Sequence, residues 1–320
     1  MEGLHLLFDG SNTAFRANMV SDMSTKEGFR TAAIYGTLNI THSNILYLQK
    51  EYELPVKEVI YAWDLGHSAR RKEIFPEYKA ARKERYTPEN QDFFKEFYQQ
   101  IDILHQSLNF FGIKSYRKSY WEGDDLIYGF LVNLRKKYPD DKIVIISTDE
   151  DFHQLIDEHT DVFSPIKKIL YTFENYETLM GISPKFYITY KILKGDASDG
   201  IPGIEGIGEK TAKSIVKKFG DIQSILDNGE ILSKSKRTAR IFTKEGFHIL
   251  ERNNQLINLK EYVDIKDIQS NLEAILDISP EINKSGIIEF FKKYQMVSLL
   301  TGFSEWIQPF IEIANNFKQK

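Results

Sequence analysis

Nine carboxylates fall in five short clusters along a chain of 320 residues: Asp9; Asp64; Glu122 with Asp124 and Asp125; Asp149 with Asp151; and Asp196 with Asp199. Each cluster stands where an apolar run ends, so a fold that aligned those ends would gather the acids at one edge. Crowded carboxylates repel one another and raise each other's pKa values until a cation neutralises them. Sites built from oxygen alone suit magnesium or manganese. Two such ions bridging a phosphate would use this many oxygens, some of them in supporting positions. One ion lowers the pKa of a water and the other stabilises a departing oxygen, so phosphodiester hydrolysis is the reaction the acids suggest. Taken singly, each cluster has a plainer explanation. Glu122, Asp124, Asp125, Asp149 and Asp151 precede helical patterns that they could cap, and residues 196–203 are rich in turn formers. The coincidence of five clusters favours a shared pit, because a cap needs one acceptor and several of these segments supply two or three.

The elements that would carry the acids alternate. Residues 4–8, 56–63 and 142–147 are short β-rich runs, each followed by an acid and then by polar residues or glycine. Between them, apolar residues recur at three and four over 31–52, 91–110 and 126–138, the helical period. Strand and helix in alternation imply parallel βαβ units. Ligands of open parallel sheets bind beyond the carboxyl ends of the strands, where Asp9, Asp64 and Asp149 would project. After Asp199 the texture changes to glycine turns and short helices, with a soft boundary near 182 and an amphipathic run over 287–294.

Composition narrows the class. Apolar residues make up 42% and charged residues 28%, as in a soluble globular protein, and no apolar stretch is long enough to cross a bilayer. The acidic start and short apolar run at 1–8 do not make a signal peptide. The chain has no cysteine, which removes disulfides, iron–sulfur clusters and zinc–thiolate sites and fits the cytoplasm. The formal charge of −4 argues against a nucleic-acid partner, yet setting aside the nine clustered acids leaves +5. Residues 65–86 are strongly basic, carrying Arg70, Arg71, Lys72, Lys79, Arg82, Lys83 and Arg85. The pattern is an acidic pit in a basic surface, with a solvated helix face as the alternative for the charge run.

Two further segments bear on the substrate. Gly203-Ile-Glu-Gly-Ile-Gly-Glu-Lys-Thr211 is not a phosphate-binding loop of the Walker type, because Glu209 separates Gly208 from Lys210 and a turn, not a strand, precedes it. Gly203, Gly206 and Gly208 ahead of a helix that carries Lys210, Thr211 and Lys213 suit backbone-amide contact with nucleic-acid phosphates. A tight interhelical turn is the alternative. Residues 75–86 interleave Phe75, Tyr78 and Tyr86 with Lys and Arg, an arrangement that can stack bases and meet phosphates of a single strand. A packed amphipathic helix would show the same pattern.

Together these motifs resemble the 5′-nuclease family, which includes flap endonucleases, the 5′-exonuclease domain of bacterial DNA polymerase I, and the ribonuclease H and 5′-exonuclease proteins of bacteriophages. The resemblance covers residues 4–220 in family order and rests on Phe8-Asp-Gly-Ser-Asn-Thr-Ala-Phe-Arg-Ala17, Ala62-Trp-Asp64, the stretch from Arg71 to Arg82, Glu122-Gly-Asp-Asp125, Ser147-Thr-Asp-Glu-Asp151, Gly195-Asp-Ala-Ser-Asp-Gly-Ile-Pro-Gly203 and Gly206-Ile-Gly-Glu-Lys210. Gly123 departs from the usual alanine, which should only loosen a helix start.

The resemblance implies an α/β fold: a PIN-like parallel-stranded sheet flanked by helices over 1–182, with a helical arch at 66–105. A C-terminal helical DNA-binding region would span 183–320 and contain a helix-three-turn-helix element at about 200–220. It implies a structure-specific 5′ nuclease, a two-metal hydrolase acting as 5′-3′ exonuclease, flap endonuclease and ribonuclease H, that removes primers or flaps in replication or repair. Asp9, Asp64, Glu122, Asp124 and Asp125 would form the first metal group, and Asp149, Asp151, Asp196 and Asp199 the second. Lys79 and Arg82 would be the catalytic cations. Arg16 would contact substrate and Tyr78 would stack near the cleaved junction.

The implied cofactors are two Mg2+ ions, replaceable by Mn2+, with K+ near the glycine turn. The implied partners are branched, flapped or nicked DNA and RNA–DNA hybrids, and a single-strand binding protein or sliding clamp, with no membrane and a monomeric state. With no polymerase-sized segment following, the expectation is a free-standing phage or accessory bacterial enzyme in the host cytoplasm. A PIN-type ribonuclease and a non-catalytic junction-binding protein are the rivals.

Overall fold

The structure is a computed structural model that describes residues 2–66, 68–85, 87–262 and 265–318, without the side chains of Lys83, Glu84, Arg85, Glu89 and Tyr262. Its centre is a six-stranded sheet in the order β3-β2-β1-β4-β5-β6. The strands are β1 (Leu4–Asp9), β2 (Val56–Trp63), β3 (Lys114–Arg117), β4 (Lys142–Ile146), β5 (Thr160–Ser164) and β6 (Ile169–Tyr171). The first five run parallel and β6 closes the edge antiparallel. The chain builds outward from β1 to β3, then returns to β4 on the other side of β1. The order therefore reverses between β1 and β4, and crevices form at such switch points.

Helices cover both faces, so the central strands are mostly apolar on both sides, interrupted by His5 in β1, Lys57 and Glu58 in β2 and Lys142 at the start of β4. Leu4, Leu6, Phe8, Tyr61, Trp63, Val144 and Ile146 face one side, beneath α1 (Gly10–Val20), α2 (Ala32–Tyr52) and α4 (Gln91–Ser107). Leu7, Ile60, Ala62, Ile143 and Ile145 face the other, beneath α5 (Gly123–Lys137). Alternation with period two divides them. The expected arch region at 66–105 holds the short α3 (Ala69–Ile74), two 3-10 turns and most of α4.

The second half begins with α6 (Tyr176–Met180) and α7 (Tyr187–Lys194), followed by a two-residue hairpin, the glycine turn and α8 (Glu209–Phe219). These share the α5-side core through Leu193, Ile204, Ile207 and Val216. The last helices do otherwise. Helices Lys284–Lys293 and Gln308–Lys318 return to the α2 side, where Phe111 lies 5.9 Å from Phe291 and 5.7 Å from Phe310, ring centre to ring centre. No described helix is long and apolar enough to cross a membrane.

Candidate active site

The carboxyl ends of β1, β2 and β4 carry the first acids. Asp9 ends β1 and caps α1, accepting hydrogen bonds from the Asn12 amide at 3.0 Å and from Ser147 Oγ at 2.9 Å. Gly10 follows because a Cβ there would lie 2.6 Å from the Trp63 ring. Asp64 follows β2; its Oδ1 accepts the Gly123 amide at 2.7 Å, tying the second strand end to the start of α5. Asp149 caps the 3-10 turn after β4 by accepting the Asp151 amide at 2.8 Å. Asp196 and Asp199 lie in the hairpin after α7.

Five of these nine acids, Glu122, Asp125, Asp151, Asp196 and Asp199, have a cation in close contact. Arg71, 1% exposed, donates from Nη1 to Glu122 Oε2 and from Nη2 to Asp125 Oδ1, each at 2.7 Å, and from Nε to the Leu256 carbonyl at 3.2 Å. Asp125 Oδ2 accepts the Glu122 amide at 3.2 Å, so both of its oxygens are engaged. The Tyr78 hydroxyl and Lys79 Nζ also donate to Glu122 Oε2, each at 2.9 Å. Burial alone would raise the Glu122 pKa, but Lys79 and Arg71 hold it down to about 2.

Lys79 has φ +55°, a strained value for a residue with a side chain, and its amide donates to the Asp199 carbonyl at 2.9 Å. That conformation places Nζ 3.8 Å from Asp199, whose Oδ1 accepts from Arg82 Nη2 at 2.6 Å. Lys191 donates to Asp196 Oδ2 at 2.6 Å, and there too burial would raise the pKa while Lys191 holds it near 2.

Asp9 and Asp149 have no such contact. Burial, then repulsion from Asp64, raises Asp9 to about 7; desolvation by the atoms crowded around it, then repulsion from Asp151, raises Asp149, though its surface is partly open, to about 7. Asp124, partly exposed, is raised well above the ordinary range by desolvation in the same crowd. Nine acids meet four contacting cations, Arg71, Lys79, Arg82 and Lys191, which leaves five negative charges. Two divalent ions would leave one. Asp151 Oδ1 is buried and accepts no hydrogen bond, although Lys191 Nζ lies 2.7 Å away off the donating direction. An oxygen-only donor set with more carboxylates than contacting cations fits a divalent ion.

Residues 4–181 match the family model "5′-3′ exonuclease, N-terminal resolvase-like domain", and residues 182–278 match "5′-3′ exonuclease, C-terminal SAM fold". A 5′-3′ exonuclease of Aquifex aeolicus is 31% identical over 94% of each chain. The chain belongs to the 5′-3′ exonuclease family. DNA polymerase I of Lactococcus lactis is 28% identical over 90% of this chain, which spans 32% of the polymerase. The bacteriophage T5 D15 protein, solved with metal ions, superposes with TM-score 0.68 at 25% identity, over 86% of this chain and 98% of its own. A second structure of it, described as a flap endonuclease in a product complex with DNA and metal ions, gives TM-score 0.69 at 24% identity over the same shares. Membership makes this chain a nuclease, the chemistry its acids suggested.

The residues expected of a 5′-3′ exonuclease do not all meet. The nine acids, Lys79 and Arg82 form one connected cluster. Beside it opens a cleft of about 660 Å3 lined by Asp64, Lys72, Tyr78, Lys79, Arg82 and Glu122. Arg16 stands apart on α1, partly exposed, with no ion pair among the described residues. Tyr78, expected as a stacking residue, is 2% exposed and packs with Ile201, Leu256 and Ile257, while its hydroxyl bonds Glu122 and Lys79 Nζ lies 4.8 Å from its ring centre. Phe75 likewise packs, under Arg252. Tyr86 and the side chains of Lys83 and Arg85, expected in the same interleaved run, lie outside the described residues.

The glycine turn begins four residues beyond Asp199. Gly203 admits no side chain, since a Cβ would meet the Lys194 carbonyl at 2.1 Å. Ile204 and Ile207 anchor the turn in the core, while Gly206 and Gly208 are exposed and Gly208 precedes α8. Lys210 is exposed; Thr211 and Lys213 are partly so, with Lys213 paired to Glu209 at 2.8 Å.

Sequence reasoning missed three site residues. Arg71 was counted as one charge in a basic run, with no sign of its burial. Lys191 is one of two lysines in a short, largely apolar helix, which carries no signal. Tyr98, 49% exposed at the cleft wall, is an open aromatic where Tyr78 had been expected.

Proposed function

We propose that this 5′-3′ exonuclease-family chain is a structure-specific, divalent-metal-dependent 5′ nuclease that cleaves flapped, nicked or branched DNA and the RNA strand of RNA–DNA hybrids, with Mg2+ as its metal and the cytoplasm as its place of action. The observation that carries the reading is the connection of all nine acids with Lys79 and Arg82 beside one open cleft, next to a glycine turn leading into a helix.

The acids divide by function. Asp9, Asp64, Asp124 and Asp149, which no cation contacts closely, would hold the first ion, and Asp151, Asp196 and Asp199 the second. Glu122 and Asp125 are held by Arg71 and stiffen the wall behind Asp124. A divalent ion seated there supplies Lewis acidity toward water and charge for a departing oxygen. Lys79 and Arg82, pinned by Glu122 and Asp199 at the cleft, are placed to meet the scissile phosphate and stabilise charge developing on its oxygens. The exposed amides at the start of α8, with Lys210 and Thr211, would bind a phosphate of the adjoining duplex. The Asp199 carbonyl bonded to the Lys79 amide joins this grip to the cleft through the backbone.

A 5′-labelled flap, a nicked duplex and an RNA–DNA hybrid, each incubated with and without Mg2+, test the reading. Short 5′-labelled products that require Mg2+ and a junction are expected. Cleavage of single-stranded RNA alone would favour a ribonuclease, and binding without any product would make the chain a junction-binding protein.

A further inference from the structure

The second acid group encloses a cation of its own. Lys191 is 7% exposed on α7, and its Nζ lies 2.6 Å from Asp196 Oδ2 and 2.7 Å from Asp151 Oδ1. One oxygen each of Asp151, Asp196 and Asp199 come within 4.8 Å of one another, close enough to share an ion, and the ammonium contacts two of the three.

The first group also encloses a cation, but of another kind. Arg71 is fixed by a two-point contact with Asp125 and by the Leu256 carbonyl, a planar fork with nowhere to go. Lys191 is a point charge on a flexible four-carbon stem, held at its tip by carboxylates alone. A divalent ion reaching Asp151 and Asp196 meets this charge at contact range, where repulsion between like charges corresponds to a tenfold or larger effect on affinity even at a surface-like dielectric.

We propose that Lys191 is a tethered counter-ion that competes with divalent metal for Asp151 and Asp196, making the second ion the weaker of the two. It offsets one of the two negative charges when no ion is present and yields or shares the carboxylates when one arrives. The affinity of the second ion is therefore set by a residue that is not a ligand. This inference rests on the metal-dependent reading above.

Calorimetric titration of the metal-free full chain with Mn2+, without DNA, tests it, comparing wild type with Lys191→Met and Lys191→Arg. Wild type should show two binding events of unequal strength. In Lys191→Met the weaker event should tighten about tenfold or more, while the stronger changes less than about twofold. The rise in melting temperature on adding Mn2+ should also be larger than in wild type. Lys191→Arg, whose fork can engage both carboxylates, should weaken the second event about fivefold or more. This arm decides the matter if the methionine variant does not fold. Unchanged or weaker second binding in Lys191→Met, or unchanged second binding in Lys191→Arg, would overturn the proposal, since Lys191 would then only position the acids. Absence of Mn2+ binding in wild type would instead overturn the metal reading itself, and this inference with it.

Discussion

Glu122 and Asp196 belong to the same pit as Asp9 and Asp149, yet the two pairs are opposites. Cations in direct contact overcome burial at the first pair and hold each pKa near 2; desolvation and neighbouring acids raise the second pair to about 7. The first pair arrives already neutralised by the protein. The second is left for something else to neutralise. The difference separates acids that build the site from acids that wait for a ligand, a distinction that residue type alone does not make.

Removing a carboxylate from the held pair should do the greatest damage. Glu122→Gln leaves Arg71 and Lys79 without a shared buried counter-charge and should cost about 3–5 kcal/mol of stability, read from chemical denaturation. Unchanged stability would erase the distinction between the pairs. Lys79→Ala should lower turnover on a 5′ flap about 100- to 1000-fold with the circular dichroism spectrum intact. A smaller loss would mean that its strained backbone serves packing and not the phosphate.

Asp149→Asn should act in the opposite sense to Glu122→Gln. It should stabilise the metal-free protein near pH 8 by about 1 kcal/mol, after discounting for the exposure of Asp149, while abolishing metal-dependent cleavage.

The sign of the pH dependence follows from the direction of each shift. A carboxylate raised from 3.8 to about 7 binds more protons folded than unfolded, so metal-free stability should fall as pH rises from about 4 to 7. The contribution of Glu122 and Asp196, whose pKa values are depressed, is present above about 4 and lost as pH falls toward 2. Thermal melts of the metal-free protein should therefore peak at mildly acidic pH, and saturating Mg2+ should move the peak upward.

The smallest effect should come from Gly123→Ala. A Cβ there would sit 3.5 Å from Asp64 Oδ1, ordinary contact, so the change should add about 0.5–1 kcal/mol of helix stability and leave cleavage unchanged.

Much of this arrangement was legible from sequence where period and chemistry coincide. β1, β2 and β4 are mostly apolar runs with an acid at or just beyond their ends, and α2, α4 and α5 keep the helical period, so both the elements and the acids at their ends could be read. β3, with the sequence Lys-Ser-Tyr-Arg, and β5, which carries the fully buried Asp161 beside Lys142 at 3.0 Å, look polar because their partners come from distant segments. The same limit hid Arg71 and Lys191. A cation in a charge run or in a short apolar helix shows nothing of the acid it will face across 50 residues or in the next turn of chain. Tyr78 shows the converse: an aromatic among cations suggests stacking, and the structure buries most of its ring beside the cleft.

Diffraction from crystals soaked in Mn2+, with the ion located by its anomalous signal, tests the division of the pit most directly. The strongest peak should lie about 2.1 Å from oxygens of Asp9, Asp124 and Asp149, with Arg71 still bonded to Glu122 and Asp125. A strongest peak bound directly to Glu122 and Asp125, with Arg71 displaced, would contradict it.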